Sequence, residues 1–496
     1  MKELSSLNPY LAKYKYRILF GCIFIALSNW FGVFPAQIIR LAFDLVKDNL
    51  ANYQLTSGFE NQAILKSIII QIALLFGALI VLISIIKGVF MFFMRQTIIV
   101  VSRLIEYDLK NVIYQKYQEL NLSFYRINNT GDLMNRVSED VSRVRMYIGP
   151  AIMYTLNLIV LFVLVISTMI SVNPMLTFYA LLPLPLLFVA IYYVQNTINT
   201  KSENIQAQLS ILTTTVQETF SGIRIIKAFG REQQLADRFA SDSEVYKTKS
   251  MELVKVQAIF FPTILGLIGI STLLTVYFGG KEVINGSITA GNIAEFIVYV
   301  NILTWPVASV GWVTSLVQRA AASQKRINEF LDLKPEITNP STIPFEFTHS
   351  IEFRNVSFTY PETNITAIDQ LSFTLTKGQT LAIVGKTGSG KSTISNLISR
   401  MIDVSSGSIL IDNQDIKNIN LNDWRNQIGI VPQEVFLFSD SIQNNITFGK
   451  DQCETADIHQ AAQMAGVYDS IIAFPNGFET LLGERGITLS GGQKQR

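Results

Sequence analysis

The chain has 496 residues, a net charge of +2, 49% hydrophobic and only 16% charged residues, and a mean hydropathy of +0.32. Soluble domains carry about 25% charged residues, so much of this chain belongs in lipid, and its near-neutral balance argues against a nucleic-acid partner. Two lone cysteines, Cys22 in an apolar run and Cys453 in a polar one, exclude a disulfide framework.

A basic N-terminus is followed by an apolar run too long for a signal peptide, which reads as a first membrane span. A helix crosses a bilayer in about 20 residues. Six runs qualify: Ile18 to Val46, Ile64 to Phe93, Tyr147 to Val172, Met175 to Val194, Val256 to Gly279 and Ile293 to Leu316. Spans three and four meet in a tight turn at Asn173-Pro174, and spans five and six at Gly280 to Gly286. Long helical stretches, about 94–146 and 195–255, separate spans two from three and four from five. The first is rich in cations: Arg95, Arg103, Lys110, Lys116, Arg126, Arg136, Arg143 and Arg145. By the positive-inside rule the N-terminus and both long stretches face the cytoplasm. Lys87 and Arg40 near span ends are read as snorkelling cations. Pro35, Pro183, Pro185, Pro262 and Pro306 are read as kinks, and Trp305 and Trp312 as packing or interface-belt residues, with lining of a substrate path as the alternative.

Residues 1–333 thus form a membrane domain, and 334–350 a linker in which Lys334 to Pro344 holds three prolines. From residue 351 to 496 the pattern is that of a soluble α/β domain. Ile351 to Tyr360, Thr380 to Val384 and Ser408 to Asp412 read as strands, and Lys391 to Met401 as a helix.

Gly385-Lys386-Thr387-Gly388-Ser389-Gly390-Lys391-Ser392 fits the P-loop pattern between an expected strand and helix. Its glycines let consecutive N–H groups curl round a phosphate, and the helix start adds its dipole. Lys391 is expected to reach the β- and γ-phosphates and Ser392 to ligate Mg²⁺.

Here the sequence resembles the ATP-binding cassette family of exporters. Tyr360 resembles the aromatic that stacks on adenine, and Gln433, in Val431-Pro432-Gln433, the glutamine that ligates Mg²⁺. Gly483-Glu484-Arg485-Gly486 resembles the loop before the signature, and Leu489-Ser490-Gly491-Gly492-Gln493 the signature itself. The resemblance implies ATP and Mg²⁺ as cofactors. It assigns Tyr360, Gly385 through Ser392, Thr393 and Gln433 to the chain's own ATP, and the signature to an ATP on a partner's P-loop. It also implies a six-helix membrane domain, and a second subunit, simplest as a homodimer. The membrane matches include Phe124-Tyr125-Arg126 and Ile223 to Phe229, which resemble coupling segments, with Phe124 and Tyr125 as aromatic anchors.

The family pattern continues with an Asp-bearing strand, a catalytic Glu and a switch His. None is in this sequence, so no catalytic residue is assigned, hydrolysis by the chain as given is not expected, and the domain is expected to be C-terminally incomplete, with an unstable sheet and an exposed apolar face. The expected function is ATP-driven export of a hydrophobic or amphipathic cargo from a bacterial inner or plasma membrane. The alternatives are a non-hydrolysing regulatory subunit of a heterodimer and an inactive fragment.

Overall fold

A computed structural model describes residues 2–55, 59–339, 341–433, 435–450, 452–483 and 489–496. It divides into two compact units, 1–120 with 128–334, and 121–127 with 335–496.

In the first unit six helices are long and apolar enough to cross a membrane: Lys15–Asn49, Ala63–Glu119, Thr130–Val172, Pro174–Ser221, Glu232–Ile284 and Ala290–Leu331. They extend well beyond the apolar runs. The second belongs to an uninterrupted 61-residue helix, Phe59–Glu119, about 90 Å at 1.5 Å per residue, three times the hydrocarbon thickness. Leu74, Leu75, Ile85 and Phe92 point outward, the side expected to meet lipid. Phe296, Tyr299, Val165, Met169 and Leu176 form a buried core between the helices.

The tight turn at Asn173 is observed: its side chain accepts from the Leu176 N–H at 2.9 Å and caps the helix that Pro174 opens. The junction expected at Gly280 to Gly286 lies later. The helix runs through Gly280 to Ile284, and the next begins at Ala290, capped by Thr289. A glycine pair inside a long helix costs only about 1 kcal/mol per residue, too little to stop it. Pro35, Pro262 and Pro306 lie inside helices, whereas Pro183 and Pro185 sit at a helix start. The third span enters through two π turns, Arg136–Asp140 and Tyr147–Ala151.

Arg40 does not simply snorkel. Its guanidinium lies 3.4 Å from the Glu295 carboxylate, which is fully buried and also accepts from Tyr299 Oη at 2.9 Å and Asn292 Nδ2 at 3.2 Å. Asp44 accepts from the Gly291 N–H and the Thr289 hydroxyl. These contacts fasten the first helix to the sixth. A carboxylate in this setting persists because every oxygen is engaged.

The second unit has a four-stranded antiparallel sheet in the order β2-β1-β3-β4, with β1 Ser350–Tyr360, β2 Ile365–Thr376, β3 Ser406–Ile411 and β4 Gln414–Asp415. β3 ends one residue short of expectation. Asp412 and Asn413 have φ of +48° and +66°, a two-residue hairpin of the primed type in which the chain must leave the strand. The strand expected at Thr380 to Val384 does not form. That segment has no ladder partner among the described residues, and a lone extended segment cannot satisfy its backbone within a sheet. Val384 is 94% exposed and Val431 76% exposed, so apolar side chains beside the P-loop and the Gln433 loop face outward. One core beneath the sheet holds Phe353, Phe358, Ile368, Ile411 and Trp424 together with Ile394 and Leu397 of the helix Lys391–Ile398. A second holds Ile442, Ile458, Phe478 and Leu482.

Candidate functional site

The P-loop is an open turn delivered onto a packed helix. Gly388 and Gly390 take φ of +83° and +84°, values that side chains other than glycine's rarely tolerate. Gly390 caps the helix Lys391–Ile398, and a Cβ there would collide with the Ala367 carbonyl oxygen of β2. At Gly385 a Cβ would approach Ser389 Oγ at 2.6 Å. The loop can therefore curl tightly against the sheet only because these positions are bare. Ile394 and Leu397 in the core fix the helix direction, so its free N–H groups open toward the turn.

Lys391 folds back across this turn. Its Nζ donates to the carbonyls of Gly385 at 2.9 Å and Lys386 at 2.7 Å. An ammonium held over a ring of amides is a cation placed where a polyphosphate would lie. Lys386, Thr387 and Ser389 are exposed along the turn, and Ser392 is exposed in the first helical turn. Thr393 is buried instead, and its hydroxyl pairs with Tyr360 Oη at 2.9 Å. That bond ties the end of β1 to the phosphate-loop helix, a function for Thr393 distinct from ligand contact. The Tyr360 ring stands edge-on to Phe358 at 4.9 Å.

Arg126 lies with its guanidinium carbon 5.2 Å from the Tyr360 ring centroid. It follows Phe124 and Tyr125 in the short helix Leu122–Ile127, which belongs to the second unit. Phe124 and Tyr125 meet edge to face at 5.3 Å, and burial raises the Tyr125 phenol above its ordinary pKa. Phe124 and Tyr125 are the aromatic anchors that the resemblance implies, and Arg126 of the same motif gains its own contact only in the fold. No sequence signal gives this contact, because Arg126 and Tyr360 lie far apart in the chain and meet only in the folded unit.

Gln433 is exposed in its loop, and the carbonyl of Pro432 beside it accepts from Gln495 Nε2 at 3.2 Å. The signature starts the short helix Gly491–Gln495. Ser490 Oγ accepts from the Gln493 N–H at 3.3 Å while the Gln493 side chain accepts from the Ser490 N–H at 3.0 Å, a reciprocal cap. Leu489 packs on the second core. Of the preceding loop only Gly483 is among the described residues; Glu484, Arg485 and Gly486 lie outside them. The structure thus joins Tyr360, Thr393 and the P-loop, and separately joins the signature helix to the Gln433 loop. His349 and His459 stand apart from both. His349 Nδ1 meets the Thr348 hydroxyl, and His459 stacks on Phe478.

Among the described residues no group of three His, Cys, Asp or Glu side chains could hold a metal ion.

Residues 18–307 match the family model of the ABC transporter transmembrane region, and residues 368–496 match the family model of the ABC transporter. The chain is 34% identical over 426 residues to the multidrug resistance-like ATP-binding protein MdlA of Escherichia coli, covering 85% of this chain and 72% of that protein. It is 33% identical over 420 residues to an ATP-dependent lipid A-core flippase of Syntrophus aciditrophicus, 84% and 69% of the two chains. Against the probable multidrug resistance ABC transporter protein YheI of Bacillus subtilis it is 31% identical over 497 residues, 99% and 82% of the two chains.

Proposed function

We propose that this chain, which belongs to the ABC transporter family and fuses that family's membrane region to its ATP-binding domain, exports a hydrophobic or amphipathic substrate at the expense of ATP. The observation that carries this reading is the P-loop geometry, with Lys391 held across bare glycine turns on a packed helix, in one chain with six span-length helices. Tyr360 stacks on the adenine, and the amides from Gly385 to Ser392 hold the phosphates with Lys391. Ser392 and Gln433 are the candidate Mg²⁺ ligands, and the bound ion neutralises phosphate charge. Ser490 and the glycine amides of Gly491 and Gly492 contact the nucleotide of a second subunit, in the simplest case another copy. The N-terminus and the nucleotide domain lie on the cytoplasmic side, in an inner or plasma membrane. The names of the relatives, a multidrug resistance-like protein and a lipid A-core flippase, support an apolar or amphipathic cargo.

The test is nucleotide binding and turnover by the full chain in proteoliposomes. Mg-ATP binding is expected, and Lys391→Ala should weaken it by at least about tenfold. Phosphate release, for which no residue of this sequence is assigned to activate water, and movement of a fluorescent amphiphile decide between exporter and regulatory subunit. Tight binding without turnover would replace the exporter reading with that of a regulatory subunit.

A further inference from the structure

Within the membrane unit a cavity of about 520 Å³ opens between the second, third and sixth span helices, lined among others by Arg95, Gln96, Ile99, Pro150, Tyr154 and Trp312. That volume lies in the range of small-molecule sites. Its depth follows from the chain. Arg95 comes two residues after the apolar run that ends at Phe93, Pro150 and Tyr154 lie at the start of the third run, and Trp312 lies near the end of the sixth. All are at the same end of their spans, the end assigned above to the cytoplasm.

Arg95 has no hydrogen-bond or ion-pair partner among the described residues. The cations further along the same helix differ: Arg103 and Lys110 pair with Glu106, and Lys116 with Glu119. No carboxylate lines the cavity. Tyr154 and Trp312 meet edge to face at 5.6 Å, and together they form an aromatic wall of the kind favoured at headgroup depth.

Local geometry sets how the third helix meets the second beside the cavity. Gly149 packs so closely on the second helix that a Cβ would approach Ser102 Oγ at 2.7 Å. One residue later Pro150 sits within the π turn Tyr147–Ala151. A π turn widens the helix locally, accommodates a residue that cannot donate, and recurs at functional positions. The two helices therefore touch at Gly149, and the cavity opens beside that contact at Arg95 and Pro150.

The geometry points to a site for an anionic amphiphile, with a phosphate or carboxylate head on Arg95 and Gln96 and an apolar chain against Ile99, Tyr154 and Trp312. It rests on the export reading and makes this cavity the place where cargo is loaded from the cytoplasmic leaflet.

Quenching of tryptophan fluorescence by brominated lipids tests it on the full chain in phosphatidylcholine nanodiscs. The component lost in Trp312→Phe reports the cavity. Brominated phosphatidylglycerol is expected to quench that component at about tenfold lower mole fraction than brominated phosphatidylcholine. Arg95→Gln should abolish the preference, Arg95→Lys should keep most of it, and Arg17→Gln, on the first helix outside the cavity, should leave it intact. Equal quenching by the two lipids, an unchanged preference in Arg95→Gln, or an equal loss in Arg17→Gln would each overturn the site. So would shielding of Trp312 from both lipids, which is what a partner subunit covering the cavity would give. ATP-driven movement of a labelled phosphatidylglycerol separates the two readings. Selective quenching without movement keeps the site and removes export, and movement unaltered by Arg95→Gln removes the site and keeps export.

Discussion

The two units place their charged groups in opposite ways. In the membrane unit the carboxylate that matters, Glu295, is wholly buried and held by Arg40, Tyr299 and Asn292, while aliphatic side chains cover the outside. In the nucleotide unit the charged groups that matter are on open turns and are held by backbone. Lys391 rests on two carbonyls, and Asp412 accepts from the N–H groups of Thr348, His349 and Ser350. A lipid-facing unit has an apolar exterior and must hide its charge among side-chain partners. A water-facing unit can leave charge at the surface and let loop geometry place it. A buried cluster should therefore fail through stability, and a loop site through binding.

The largest expected effect is at Glu295. Glu295→Ala leaves Arg40, Tyr299 and Asn292 facing an empty site, and should cost about 2–4 kcal/mol, the lower part of the range for broken buried pairs because Arg40 remains partly exposed. Thermal unfolding in detergent measures it. The paired change Arg40→Met with Glu295→Met should recover most of the loss, because both charges go together. If the single variant unfolds like the parent, the cluster is not what joins the first and sixth helices.

Gly390→Ala should act through binding. It forces a side chain to φ of +84° and into the Ala367 carbonyl, a backbone strain of about 1–3 kcal/mol before any steric shift. The loop can relieve that strain only by moving away from β2. ATP affinity should fall by at least about tenfold with little change in helical content, measured by nucleotide titration and circular dichroism. Global unfolding instead would place the glycine in the core rather than in the site.

Why some of this was legible in the sequence follows from the same contrast. The six spans and the strand Ser350–Tyr360 are set by side-chain pattern, which is local. The phosphate turn is set by glycine spacing, which is also local. The segment Thr380 to Val384 carries a strand pattern just as strong as that of β1, yet a strand requires a ladder partner, and the pattern contains no information on whether one is present. Arg40 shows the same limit. Its place near a span end suggested an interface, whereas its partner Glu295 lies 255 residues away. The Arg126–Tyr360 contact was equally invisible, because both residues are ordinary until the fold brings them together.

Asp412 gives a smaller and pH-dependent effect. Burial opposes ionisation of its carboxyl, but the N–H groups of Thr348, Ser350 and His349 and the Thr348 hydroxyl outweigh it and hold the pKa below the ordinary carboxylate value. A depressed folded-state pKa contributes stability that is present above the unfolded value of about 3.9. That contribution is lost as pH falls through the folded value. Acid should therefore loosen the β3–β4 turn below about pH 4, and Asp412→Asn should flatten this part of the acid unfolding curve while lowering stability at neutral pH. An unchanged acid limb in the variant would assign acid sensitivity to other carboxylates.

The smallest effect, at Arg126, bears most directly on how a loop site differs from a buried cluster. Its guanidinium engages the ring of Tyr360, the residue proposed to receive the adenine. Tyr360 is half-buried, and a cation over such a ring is worth about 1 kcal/mol, enough to compete with a nucleotide base but not to exclude it. If both use the same face of the ring, ATP must displace Arg126, and removing the side chain should tighten binding. Arg126→Ala is expected to lower the ATP Kd by about twofold to fivefold, read by titration with a fluorescent nucleotide. The same substitution in Tyr360→Leu should then have no effect, because the shared ring is gone. Weaker binding in Arg126→Ala would mean that the guanidinium and the adenine take opposite faces and support one another. The segment Leu122–Ile127 would then be drawn toward the nucleotide on binding, instead of being released by it.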